Sequence, residues 1–145
     1  MAAGIVPFSS AHVNAQAAKA WAEAKPVAES LPKPRDLSVA RFFTTDECNA
    51  LIEEVLKEAT QGISTPESIP LRQPLRIKTG GHVVFPGKTT TGQTLTMLIP
   101  LQVTGDVKLG EMLVDTDHYY KILTECEVEV SQGGKLVALI VSDIG

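Results

Sequence analysis

Cysteine is scarce in this chain: Cys48 and Cys126 are the only two among 145 residues, with no Cys-x-x-Cys and no Cys/His ligand spacing. Disulfide-built folds are far richer in cysteine, so an apolar core must hold this one together. Whether the two thiols pair is left open by their positions. Aromatic residues are few as well, with one Trp, two Tyr and four Phe. Positive charge is in deficit, 13 Lys and Arg against 17 Asp and Glu, for a formal net charge of −4. An acidic chain gains nothing from counterion release along a phosphate backbone, so general nucleic-acid binding is disfavoured. No apolar run approaches the ~20 residues that a membrane-spanning helix needs. The first residues lack a basic stretch followed by an apolar one, so no secretory leader is expected. What remains is a single domain's worth of chain, 43% hydrophobic, enough to fill a core.

The part from Thr94 to Ile144 reads as β-structure. Thr94 to Val103 is one apolar run, and Gly105-Asp106 is a turn signal after it. Val107 to Val114 is a second run, and Tyr119 to Val130 alternates with period two. Ser131 to Gly134 reads as a hairpin connection into Lys135 to Val141. Pro100 has no amide to donate and marks an edge or a bulge. Leu136 to Val141 is apolar on both faces, as a central strand requires. In the alternating stretch, Tyr120, Ile122, Thr124, Cys126, Val128 and Val130 share the core side. Glu125, Glu127 and Glu129 share the solvent side, where Lys135 or the arginines are expected to oppose them.

Residues 44–61 form the one helix that spacing and capping both predict. Thr44 and Glu47 have capping-box spacing, and Phe43 and Cys48 the spacing of a hydrophobic staple. Cys48, Leu51, Ile52, Val55, Leu56 and Ala59 make one apolar face, and Gly62 supplies the stop. The phrase Glu47-Cys48, with Leu51-Ile52 after two intervening residues, resembles the opening of prolyl-hydroxylase-like oxygenases. That resemblance implies iron held by a His-x-Asp and a distant second His. No His-x-Asp occurs here: Asn14 follows His12 at that spacing, Val84 follows His82, and Tyr120 follows His118. The enzyme reading fails at the residues that would carry it.

Residues 1–35 are rich in Ala and Pro and are read as an extended arm. Ala15 to Ala24 has the propensity for a short helix, and Pro26, Pro32 and Pro34 favour extended chain beyond it. Ordering so weakly hydrophobic a segment costs about 1–2 kcal/mol per residue in backbone entropy. The expectation is therefore that it lies on a neighbouring subunit or partner, anchored by Ile5, Val6, Phe8 and Trp21. Wrapping its own domain through the same four residues is the alternative.

Other motifs are weaker. Ile63 to Pro70 is a connector, and Leu71 to Ile77 a strand interrupted by Pro74. Lys78 to Gly81 is read as a turn before a short strand, His82 to Phe85. Arg72, Arg76, Lys78 and Lys88 are the densest positive charge, in keeping with a solvated strand face. Pro86 to Gly92 contains Gly87-Lys88-Thr89, yet His82 stands where a phosphate loop needs its first glycine. An exposed hairpin loop is expected there. Asp115, Asp117 and His118 are potential cation ligands, with a turn as the competing reading. No metal, cofactor or catalytic residue is assigned, because no nucleophile–base–orienter set is visible.

Together these features predict a mainly β, small α+β fold. About six antiparallel strands close as a barrel or sandwich over residues 36–145, with one capping helix near 44–61 and the extended arm at 1–35. The layout resembles the small decoration or cement proteins of tailed-phage capsids, which hold the shell through an N-terminal arm. That resemblance implies a non-enzymatic, homo-oligomeric assembly protein with neighbouring subunits or a capsid shell as partners. Its location would be the virion, or the cytoplasm if it is not viral. The alternatives are an OB-like nucleic-acid module and a small ligand-binding β-barrel.

Overall fold

The computed structural model describes residues 5–32, 39–61, 77–91, 96–122 and 125–143. Ten strands and two helices follow one another among the described residues. They are β1 (Ile5–Phe8), α1 (Ala11–Ser30), β2 (Val39–Phe42), α2 (Asp46–Gln61), β3 (Ile77–Val84) and β4 (Gly87–Thr90). After them come β5 (Thr96–Thr104), β6 (Val107–Leu109), β7 (Met112–Leu113), β8 (Tyr119–Ile122), β9 (Glu127–Val130) and β10 (Lys135–Asp143). A six-stranded sheet runs β1-β8-β5-β10-β3-β2 and a four-stranded sheet β4-β9-β6-β7, all pairs antiparallel. The mainly β class is the one expected, and of barrel and sandwich the chain forms the sandwich. The expected Gly62 stop, the connector 63–70 and the strand from 71 through Arg76 lie outside the described residues.

Each face of the large sheet buries its own core. Val83, Met97, Ile99, Val137, Leu139 and Val141 pack under the helices. Val84, Leu98, Tyr120, Ile122, Leu136 and Ala138 face the small sheet, meeting Val107, Leu109, Val128 and Val130. β10 contributes to both cores, as its neighbours β3 and β5 do, and lies between them with Leu136 through Leu139 at 1% exposure or less. Pro100 sits at a bulge: Val137 pairs with Gln102 but Ala138 with Pro100, leaving Leu101 unmatched. The bulge leaves Leu101 on the helix side and turns Val103 to the inter-sheet side.

The alternating stretch from Tyr119 to Val130 is not one strand. It divides into β8 in the large sheet and β9 in the small one, while its inward residues keep to the same core. Glu129 does face cations across the ladder, but they are Lys88 on β4 and Lys108 on β6. Lys135 lies instead on β10 in the other sheet. Ser131 closes the turns at this end, its hydroxyl accepting from the Asp106 amide at 3.0 Å and its own amide donating to the Asp106 carbonyl at 2.9 Å.

The segment expected as an extended arm forms β1 and α1, and α1 runs through Pro26 to Ser30. Ser10 caps it, its hydroxyl accepting from the Val13 amide at 3.4 Å. Val13, Ala17, Ala20, Ala24 and Ala28 recur at three- and four-residue steps and are all buried. Small side chains let this seam approach α2, whose Cys48, Leu51, Ile52 and Val55 occupy the same core. That burial carries the helix past Pro26, whose ring lies on the exposed face.

The start of α2 also departs from expectation. Thr45 is the cap, its hydroxyl accepting from the Cys48 amide at 3.3 Å. Thr44 bonds Asn49 Oδ1 instead, and Phe43 is 96% exposed rather than stapled to Cys48. Glu47 is turned toward α1: Gln16 Nε2 donates to its carboxylate at 2.7 Å and its carbonyl at 3.1 Å. The Glu47 amide donates to Glu23 Oε1 at 2.9 Å. A carboxylate of α1 thus completes the amino end of α2.

Lys78 to Gly81 lies inside β3 instead of forming a turn. Gly81 pairs with Phe42 across the ladder, and a Cβ built on it would overlap the Phe42 ring. Gly81→Val is expected to destabilise the fold by about 1–3 kcal/mol through overpacking. Denaturant titration should show the loss shrinking in a Phe42→Leu background. The hydrogen bonds from Thr45 and the Glu47 amide hold the Glu23 carboxyl below its ordinary value of 4.5. The ionised form is favoured by folding, so its contribution is present above pH 4.5 and is lost as pH falls through the lowered value. Stability measured against pH should fall less steeply in that acid window for Glu23→Gln than for the parent chain.

Candidate functional site

A cavity of about 480 Å³ opens between the two sheets. Its floor is apolar and comes from both of them: Leu98, Leu136, Ala138 and Ile140 from the large sheet, Val128 from the small. Its mouth is polar, lined by Arg41, His82, Thr89, Thr91 and Ser142, while Thr96 is buried in its wall. The volume and the mixture of apolar floor and few polar groups are those of small-molecule sites.

Strand alternation places these groups. Ala40 and Phe42 point to the helix side of β2, so Arg41 points between the sheets. Val83 points to the helix side of β3, so His82 does the same. Arg41 and His82 are register partners, which sets the guanidinium stem beside the imidazole. On β5 and β10, Thr96 and Ser142 are partners at the same end. Thr89 and Thr91 come from the segment read as a hairpin loop, which is in fact the strand β4 and its end. No phosphate loop is formed there. The Cys126 amide donates to Thr91 Oγ1 at 2.9 Å, tying the end of β4 to the lead into β9, its neighbour in the small sheet.

Small residues keep the space open. Gly80 lies on the inward row of β3, two residues before His82, and a Cβ there would meet nothing nearer than His82 Nε2 at 3.7 Å. Ala138 is the partner of both His82 and Pro100 in the floor. Larger side chains at these two places would fill the middle of the sandwich.

The residues singled out from sequence lie elsewhere. Ile5 is buried in the inter-sheet core, while Val6 and Phe8 are each 39% exposed on the edge strand β1. Phe8 stacks on Tyr119 with ring centroids 5.4 Å apart, and Trp21 packs half-buried against the helix-side core. None of the four reaches the cavity. Asp115, Asp117 and His118 form a turn: Asp115 Oδ1 accepts from the Asp117 amide at 2.9 Å and meets His118 Nδ1 at 2.7 Å. The Asp115 amide donates to Tyr120 Oη at 3.0 Å, and burial pushes the Tyr120 hydroxyl's pKa up. Among the described residues, no group of three or more His, Cys, Asp and Glu is placed to hold a metal ion. Cys48 and Cys126 are both free thiols, and burial pushes Cys126 up from the usual thiol value. Arg41 carried no motif, and its one sequence signal was a charge at an alternating position between two buried residues.

No family model matches the chain, and neither does any curated protein sequence. Among solved structures, the crystal structure of IDO from Bacillus thuringiensis aligns over 98% of this chain and 94% of that one, with a TM-score of 0.46 and 10% identity. No helix among the described residues is long and apolar enough to cross a membrane.

Proposed function

We propose that this chain is a small-molecule-binding β-sandwich that acts by binding, without covalent turnover. The observation that carries the reading is the cavity between the sheets, floored by aliphatic side chains and ringed by hydroxyls, an imidazole and a guanidinium. The groups of the mouth are suited to orienting a ligand, and the aliphatic floor to burying its body. A ligand that binds the folded state at one hundred times its Kd should add about 2.7 kcal/mol of stability. Thermal scanning against a set of small amphiphiles is expected to find such compounds. Ile140→Trp, placing an indole over Gly80, should keep the fold and abolish the shift. A set in which every active compound still acts on Ile140→Trp would put the binding elsewhere.

A second reading, an assembly subunit such as a capsid decoration protein, is favoured by the edge strand β1. It carries Val6 and Phe8 partly exposed on an open sheet edge, where another chain can pair. Under that reading the native mass is a multiple of the protomer's, and Val6→Lys reduces it to the monomer. A parent chain that is already monomeric at high concentration removes the assembly role.

A further inference from the structure

Resting on the ligand-binding reading, we infer that the cavity takes a monocarboxylate with a compact hydrocarbon body, its head group held by Arg41. The first observation is an inversion of charge. The chain carries 17 Asp and Glu against 13 Lys and Arg, yet among the described residues that line the cavity there is no carboxylate, while the cation Arg41 is one of them. A guanidinium without a carboxylate beside it makes the local field at the mouth positive on an otherwise acidic protein, which favours an anionic ligand there.

The second observation is the state of Arg41 itself. Among the described residues no carboxylate pairs with it, although it stands at the rim of an apolar space. A guanidinium offers two parallel N–H donors that match the two oxygens of one carboxylate, and its single charge balances the carboxylate's single charge. A doubly charged phosphate would be left with excess charge over an aliphatic floor, which is costly. The hydroxyls of Thr89 and Ser142 also line the cavity and add polarity to it without adding charge.

The third observation fixes the rest of the molecule. Leu98, Val128, Leu136, Ala138 and Ile140 make the deep part mostly aliphatic, with Thr96 a buried hydroxyl among them. Gly80, on the same inward row as His82, adds no side chain to the space between the sheets, with nothing nearer than 3.7 Å to a Cβ built there. The body that follows the head group is therefore hydrocarbon and short enough to end between the sheets. A second carboxylate at that end would be buried unpaired.

The test is calorimetric titration of the full chain with hexanoate and 3-phenylpropionate, each set against its neutral amide. The parent chain should bind each acid at least tenfold more tightly than its amide. Arg41→Met should bring the acids down to the amides' affinity and leave the amides unchanged, while Arg41→Lys, lacking the two-pronged geometry, should recover only part of the difference. Arg41 is exposed, so both variants should melt as the parent does. Equal binding of acids and amides, with Arg41→Met silent, would overturn the head-group assignment and leave the cavity as a binder of neutral compounds. Failure of all four probes at millimolar concentration would overturn the ligand-binding reading along with it.

Discussion

Burial of β10 on both faces is the constraint from which the other elements take their places. Val137, Leu139 and Val141 need cover on one side, and Leu136 and Ala138 on the other. A strand of this composition leaves no face for water, so the fold must supply two further layers. The helices supply one and the small sheet the other. β3 and β5 flank the strand and saturate its ladder. At Ala138 the bulge opposite Pro100 lets Val103 turn inward while Leu101 stays under the helices.

The helix layer depends on packing more than on propensity. α1 has little hydrophobic bulk of its own, and an isolated helix of its kind would be marginal in water. Its alanines become useful only against α2, where small side chains permit close approach and a continuous buried seam. The polar link reinforces the pairing: Gln16 and Glu23 both engage Glu47 at the start of α2. In this way the amino-terminal segment completes the helix-side core of the domain, and β1 extends the large sheet by one strand.

The cavity arises from the same layering. A sandwich packed to ordinary interior density would have no room between its sheets. Ala138 in the floor and Gly80 on the inward row of β3 withhold side-chain volume, and Arg41 and His82 stand where the space meets solvent. The hydroxyl groups that complete the mouth come from the β4 segment and β10, far apart in the chain.

Much of the β framework was legible in the sequence because it follows from local pattern. The apolar runs from Thr94 to Val103 and Lys135 to Val141, the turn at Gly105-Asp106 and the irregularity at Pro100 need only alternation and turn chemistry to be read. The face of α2 was legible for the same reason, since Cys48, Leu51, Ile52 and Val55 repeat at helical spacing. What the sequence by itself determined is therefore the mainly β class, the buried central strand and the apolar face of α2. Only the tertiary structure decided that Tyr119 to Val130 divides between two sheets, that the alanine-rich start is a packed helix, and that Lys78 to Gly81 continues a strand. It also decided that Arg41, His82 and the Thr89–Thr91 segment share one cavity. The physical reason is common to all of these: each depends on a partner distant in the chain, and local periodicity carries no information about which surface will cover a given face.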